Sequence, residues 1–375
     1  MSVIGNTTLS FSEEQGMILD SAREFCRDKS PMSAVRAQLD SATGFDAAIW
    51  DEMVALGWAG IALPEAYGGS GLGVSALVPV VESMGRAMLG TPLISSALAG
   101  QLIMRSGSSA QLESLLPGLA EGRKATLALL ENADWGSSQI SCEVGSDGVL
   151  NGTKKFVTDG GVAELFVVLV TYDGAPALAV VAAEQLADAA ISPNVLVDET
   201  KRSASVDFSG VTVAPENLIT GDKVAGALQD TLLLGALLVA AEATGAANAC
   251  LDTVVDYLKT RKQFGKLIGS YQALKHPTVD MLNGNDAARS FVYHAATLVS
   301  DEALDRDAES ACRMAKAQAT DALKFAGDRA VQFHGGMGFT YECDVQLYIR
   351  RAQWSQQQFG DAQYHRKRLA VLLLD

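Results

Sequence analysis

Residues 224–260 read as one helix, unusually long for a globular protein, and that length dictates much of what the chain can become. Its longest uncharged apolar run, 232–241, stops at Glu242 and is too short to span a bilayer, so it reads as a buried helix. Gly235, Ala236, Gly245, Ala246 and Ala247 lie within it, and small residues on a stripe let a neighbouring helix approach closely. Helical spacing returns over 276–304, 308–333 and 345–358, which predicts a C-terminal four-helix bundle over 223–375.

Upstream the texture is different. Residues 1–122 read as helices: Ser12-Glu13-Glu14-Gln15 has the form of a capping box, and Ile18, Leu19, Ala22 and Phe25 follow at helical spacing. Ile49, Trp50, Met53 and Val54 repeat the pattern up to Gly57. The glycine-rich loop 63–73 follows no strand, which favours a helix connection over a phosphate loop. Between 123 and 222 come short β-rich runs at 126–130, 166–171, 178–182 and 206–213. Ser146-Asp147-Gly148 and Asn151-Gly152 are hairpin signals there. The expected fold is α+β and multidomain: an N-terminal helical domain, a middle β-barrel-like domain and the C-terminal bundle.

Charge narrows the partners. With 29 Lys and Arg against 44 Asp and Glu, the net charge of −15 repels nucleic acid and anionic lipid surfaces, so neither is expected as a partner. Five scattered cysteines without a Cys-x-x-Cys pair suit reduced thiols in the cytoplasm, and no secretory signal is read at the amino terminus. His276, His294, His334 and His365 show no metal-ligand spacing, and no Gly-x-Ser-x-Gly elbow occurs.

Two stretches carry chemistry. In 257–277, Arg261, Gln263, Phe264, Gly265 and Gln272 combine a fixed cation, amide donors, an aromatic ring and a turn glycine, a set suited to a phosphate-bearing aromatic ligand. In 330–351, Gln332 precedes the adjacent Gly335 and Gly336, whose backbone N–H groups can face a phosphate or ribose. Together the two stretches resemble the C-terminal signatures of the acyl-CoA dehydrogenase flavoproteins. The resemblance implies removal of a proton from Cα and a hydride from Cβ of an acyl-CoA thioester, with FAD as cofactor and electron-transfer flavoprotein as acceptor. It implies that Arg261, Gln263, Phe264, Gln272, Gln332, Gly335 and Gly336 hold the adenine half of an FAD belonging to a neighbouring subunit.

The same resemblance is weaker on the flavin-ring side. Phe156 and Thr158, in Lys155-Phe156-Val157-Thr158, match a ring-contacting motif with Phe156 where Trp is usual. Glu131 with Gly136-Ser137 resembles the strand end that faces flavin and thioester, but Leu130 replaces a threonine and an extra residue precedes Trp135. The family's base is a glutamate at one of two places, and these fall here on Gly235 and Phe359, neither of which accepts a proton. Substitutes are Glu242, about 10.5 Å along the same helix face from Gly235, and Asp361, close to Phe359 in sequence.

A preserved adenine half-site beside a degraded ring site and a missing base resembles the base-less subunit of bacterial heteromeric dehydrogenases of the steroid side-chain type. The ending Tyr348-Ile349-Arg350-Arg351-Ala352, Phe359-Gly360-Asp361 and His365-Arg366 looks like that subgroup. The expectation is a subunit that completes a partner's FAD site in an α2β2 heterotetramer. The alternatives are a self-sufficient homotetramer using Glu242 or Asp361, a related flavin monooxygenase, and a non-catalytic structural subunit. Gly235 could open room for a bulky acyl group, but tight packing is the simpler account of it.

Overall fold

The computed structural model describes residues 13–137 and 139–374. Ser12 and its capping box lie outside the described residues. Six helices come first: α1 (Glu13–Lys29), α2 (Met32–Ala37), α3 (Ala47–Ala55), α4 (Gly73–Arg86), α5 (Leu93–Ser106) and α6 (Ser109–Ala120). Caps set two of the starts: the Asp46 carboxylate accepts from the Ala48 N–H, and Ser108 exchanges hydrogen bonds with Gln111. Loop 63–73 lies between α3 and α4, as a helix connection. A Cβ on Gly69 would sit 2.1 Å from the Leu63 carbonyl oxygen, so glycine there serves chain packing.

The middle segment holds β1 (Ala125–Ala128), β2 (Glu143–Val144), β3 (Val149–Asn151), β4 (Thr153–Thr158), β5 (Leu165–Tyr172), β6 (Ala175–Ala182), β7 (Ile191–Pro193), β8 (Ser203–Asp207), β9 (Val211–Thr212) and β10 (Leu218–Ile219). One sheet runs β10-β6-β5-β2-β3-β9 with β1 parallel on β5; the other runs β4-β8-β7. Strand β5 is apolar and buried from Leu165 to Val170 because both its faces are covered there. Phe166, Val168 and Val170 enter the core between the sheets with Val157, Val206 and Phe208. Leu165, Val167 and Leu169 face Leu102, Ile103 and Leu116 of the helices.

Two turn expectations need correcting. The run 206–213 is two strands, β8 and β9, broken where Asp207 Oδ1 accepts from the Ser209 hydroxyl at 2.6 Å and Gly210 takes φ +81°. Asn151-Gly152 is a crossing from one sheet to the other and makes no hairpin. Gly152 has φ +130°, and a Cβ there would meet Cys142 Sγ at 2.5 Å. Ser146-Asp147-Gly148 does close a hairpin, between β2 and β3.

The last segment contains α7 (Lys223–Thr260), the short β11 (Lys262–Gln263) and β12 (Lys266–Leu267), then α8 (Gln272–Leu298), α9 (Arg306–His334), α10 (Val345–Gln357) and α11 (Ala362–Leu374). Helix α7 is buried without a break from Leu233 to Ala247 because α4, α5, α8, α9 and α10 surround it. It is long and apolar enough to cross a membrane, yet its apolar window lies mostly inside the protein, which makes it a core helix. The small-residue stripe does what its composition implies. Cβ atoms on Gly245 and Gly85 would lie 1.9 and 2.0 Å from the carbonyl oxygens of Glu82 and Glu242, so α4 and α7 touch backbone to backbone. Helix α11, packed on α9, adds a fifth helix to the four expected. Its buried contribution is small (Ala362, His365 and Leu369), which hides it from periodicity.

Candidate functional site

A cleft opens where α5, the end of β1, β4, α7 and the chain after α10 meet. Its walls include Leu130, Trp135, Phe156, Thr158, Asp159, Lys201 and Phe359. Strand β4 is bulged: Lys154 pairs with Val206 and Val157 with Ala204, so Lys155 and Phe156 face the single Ser205. Phe156 takes φ +54°, and the bulge turns its ring out of the strand's alternation into the cleft. Thr158 is tied from behind, its carbonyl accepting from Thr126 Oγ1 at 2.6 Å.

The two expected base positions come together at the cleft's edge. A Cβ built on Gly235 would lie 2.6 Å from the Phe359 ring, so that ring occupies the space a side chain at 235 would need. Trp135 flanks it, with ring centroids 4.8 Å apart. Phe359 itself takes φ +55°, a strained conformation for a bulky residue, and its loop is pinned to hold it. Lys316, fully buried, donates to the carbonyls of Ser355 and Gly360 at 2.9 and 2.8 Å, while His365 Nε2 lies 3.0 Å from the Phe359 carbonyl. Burial lowers the Lys316 pKa to about 7, and Asp361 and Asp321 oppose that shift.

Both substitute bases are engaged elsewhere. Glu242 is fully buried with Lys201 Nζ at 2.6 Å and Arg351 at 3.1 Å, and Arg351 also reaches Asp198 at 2.6 Å. Burial works against the Arg351 charge, but Glu242 and Asp198 outweigh it and raise its pKa. This alternation of charges joins the sheet segment to the bundle, and Glu242 does not line the cleft. Asp361 caps α11, its carboxylate accepting from the Tyr364 N–H at 2.7 Å. Glu131 is likewise occupied. It accepts from the N–H groups of Ser141 and Cys142 and from Lys154 at 2.7 Å. Burial opposes its ionisation, yet these donors hold its pKa at about 2. Ser137 lies in the turn after Trp135, outside the cleft lining.

The adenine set is a separate surface. Arg261, Gln263, Phe264, Gln272, Gln332, Gly335 and Gly336 are all exposed, and none lines the ring cleft. Two contacts bring them together: the β11–β12 hairpin presents Phe264 at its tip, and Tyr257 stacks on His334 at 3.9 Å, joining the end of α7 to the end of α9. Among the described residues Arg261 makes no salt bridge. Cβ atoms on Gly335 and Gly336 would meet nothing within 4 Å. An unpaired guanidinium beside open backbone fits the pyrophosphate and adenine portion of FAD presented from outside the chain.

Sequence reasoning stopped at Thr158 and missed Asp159, the next cleft residue. It also missed that Glu242 meets Lys201, 41 residues away, because no spacing pattern signals that contact.

Similarity to known proteins agrees with this geometry. Residues 12–123 match the acyl-CoA dehydrogenase N-terminal domain, and residues 225–374 match the acyl-CoA dehydrogenase C-terminal domain. The chain is 31% identical to acyl-CoA dehydrogenase IpdE2 of Mycolicibacterium smegmatis, over 96% of this chain and 98% of that one. Among solved structures, the steroid ACAD Tcur3481-Tcur3483 superposes with a TM-score of 0.82 at 27% identity, covering 96% of this chain and 98% of that one. The ChsE4-ChsE5 complex of Mycobacterium tuberculosis shares the fold, with a TM-score of 0.86 at 23% identity over 98% of both chains. The chain therefore belongs to the acyl-CoA dehydrogenase family, FAD-dependent oxidoreductases acting on CH–CH bonds.

Proposed function

We propose that this chain, divided into domains near residues 122 and 222, is a base-less subunit of a heteromeric acyl-CoA dehydrogenase and completes a partner subunit's FAD site. The observation that carries the reading is the Phe359 ring seated in the Gly235 notch, which leaves both base positions without a carboxylate. Glu242, held by Lys201 and Arg351, and Asp361, held as a helix cap, argue against a self-sufficient homotetramer. Relatives whose printed names join two chains, Tcur3481-Tcur3483 and the ChsE4-ChsE5 complex, favour an unlike partner in an α2β2 assembly.

In this reading Arg261 supplies the cation for the cofactor's phosphates, with Gln263, Gln272, Gln332, Phe264 and the open Gly335 and Gly336 around it. FAD, when bound, would accept the hydride from the acyl Cβ as the Cα–Cβ bond becomes double, and electron-transfer flavoprotein would take its two electrons on. Phe359 and Trp135 close the edge of this chain's cleft against water, and the acidic α-proton leaves to a carboxylate of the partner subunit. The acyl-CoA is of the steroid side-chain type, and the complex works in the cytoplasm. The experiment is purification of the chain alone and with a partner that bears the glutamate. Alone it carries little flavin and does not oxidise acyl-CoA thioesters; together both properties appear. A lone chain with stoichiometric FAD and robust turnover would sink the proposal.

A further inference from the structure

The Phe359 and Trp135 rings stand between two cavities. On one side is the ring cleft, of about 50 Å³, with Ile94, Leu98 and Val239 on its wall. On the other is a larger cavity of about 270 Å³, between the first turns of α7, the start of α9 and α11. Its wall includes Leu228, Gln229, Leu232, Arg313, Tyr364 and His365. Phe359 and Trp135 are the two residues that line both spaces, and the Phe359 ring also fills the notch over Gly235.

This barrier is held in place. A bulky residue at φ +55° persists only where its surroundings fix it. Lys316 ties down the carbonyls of Ser355 and Gly360, on either side of Phe359. His365 Nε2 lies 3.0 Å from the Phe359 carbonyl. A carbonyl only accepts, so Nε2 carries the ring's proton and Nδ1 is an acceptor. Burial, with Lys316 and Arg313 adding to it, lowers the His365 pKa to about 3, which keeps the ring neutral. Its Nδ1 is buried without a hydrogen-bond partner among the described residues, and His365 lines the larger cavity.

A ligand N–H reaching into that cavity would satisfy Nδ1, and the amide-bearing arm of a CoA thioester offers such donors. The thioester's reactive carbons would then have to lie within reach of position 235 or 359. That space is the one the Phe359 ring occupies. A clash built against one ligand is as effective a means of selection as a contact made with another.

We propose that Phe359 is an exclusion residue: with Trp135 it blocks this chain's own passage to a thioester, so that acyl-CoA binds only on the partner's side of the heteromer. The proposal rests on the heteromeric acyl-CoA reading above and deepens it, because a missing base alone would leave a second, unproductive thioester site in this chain.

The test is calorimetric titration of the full complex, this chain with the subunit that copurifies with it, using octanoyl-CoA and CoA without an acyl group. Phe359→Ala joins the two cavities, and the complex gains one octanoyl-CoA site per copy of this chain. Free CoA gains none, because its arm ends before the barrier. Gly235→Leu in the Phe359→Ala background refills the space and removes the gained site. Trp135→Ala opens the same barrier from its other ring and leaves the anchors of the 359 loop in place, so it carries the test if Phe359→Ala fails to assemble. An unaltered complex that already binds one octanoyl-CoA per chain would overturn the proposal. So would a gain shared equally by free CoA, or variants that fold and assemble by circular dichroism and size exclusion yet gain no site. An unaltered complex that neither binds nor oxidises any acyl-CoA thioester would instead sink the acyl-CoA reading.

Discussion

The adenine surface and the base position contain the same kinds of residue in opposite states. At the adenine surface Arg261 is exposed and unpaired, and Gly335 and Gly336 face open space. Around the base position Arg351 and Glu242 are fully buried and paired, and Gly235 is filled by Phe359. An unpaired guanidinium in water costs little, so it can wait for a ligand; a buried one must be satisfied within the chain. On the proposed reading one region waits for a cofactor from outside, whereas the other pairs its charges within the chain, though Glu242 Oε2 and Arg351 Nη1 make no hydrogen bond there.

The largest effect should come from breaking the closed region. Arg351→Met removes the cation between Asp198 and Glu242 and leaves two buried carboxylates with Lys201. Loss of one member of a buried ion cluster costs about 3–5 kcal/mol, so the urea midpoint should fall sharply. A fall under about 1 kcal/mol would mean that the cluster is wet and the contrast overstated.

The next effect is smaller. Gly235→Ala forces a methyl into the Phe359 ring and should cost about 1–3 kcal/mol, the usual price of overpacking. In the double variant with Phe359→Ala much of that cost should vanish, because the ring no longer fills the notch. Additive single costs in a double-mutant cycle would show that Gly235 is needed for some reason other than Phe359.

These contacts mark where the sequence stopped being informative. The order helix, β, helix was legible because β5 and α7 carry their burial in composition: strand-length and helix-length apolar runs. The proposed adenine set could be nominated from sequence because Arg261 and Gly335-Gly336 sit in local motifs, and the structure leaves them exposed. Gly235 was read as packing, and packing it is, but the partner proved to be a residue 124 positions later, the other base position itself. No periodicity could place Phe359 there, since the loop that carries it is held by Lys316 and His365 from two different helices. Asp361 was read as a substitute base and Glu131 as facing the flavin, because the capping and backbone bonds that occupy them leave no trace in composition. Asp159 escaped because its place in the cleft comes from burial and a turned backbone, both properties of the folded chain.

The smallest effect on stability should fall on the open region, and it sharpens the comparison most. Arg261 is exposed and makes no ion pair, so Arg261→Ala should change the unfolding free energy, measured by urea titration, by less than about 0.5 kcal/mol. Its effect should appear instead in the assembled complex, where loss of a charge-assisted phosphate contact weakens FAD binding by roughly tenfold or more. Flavin retention on dilution, followed by fluorescence of released FAD, measures this directly. On the proposed reading the flavin ring lies in the partner, so the bound flavin's absorption should be unchanged while its dissociation quickens. If Arg261→Ala lowered stability but not flavin affinity, the guanidinium would be serving its own fold, and the two regions would differ only in exposure.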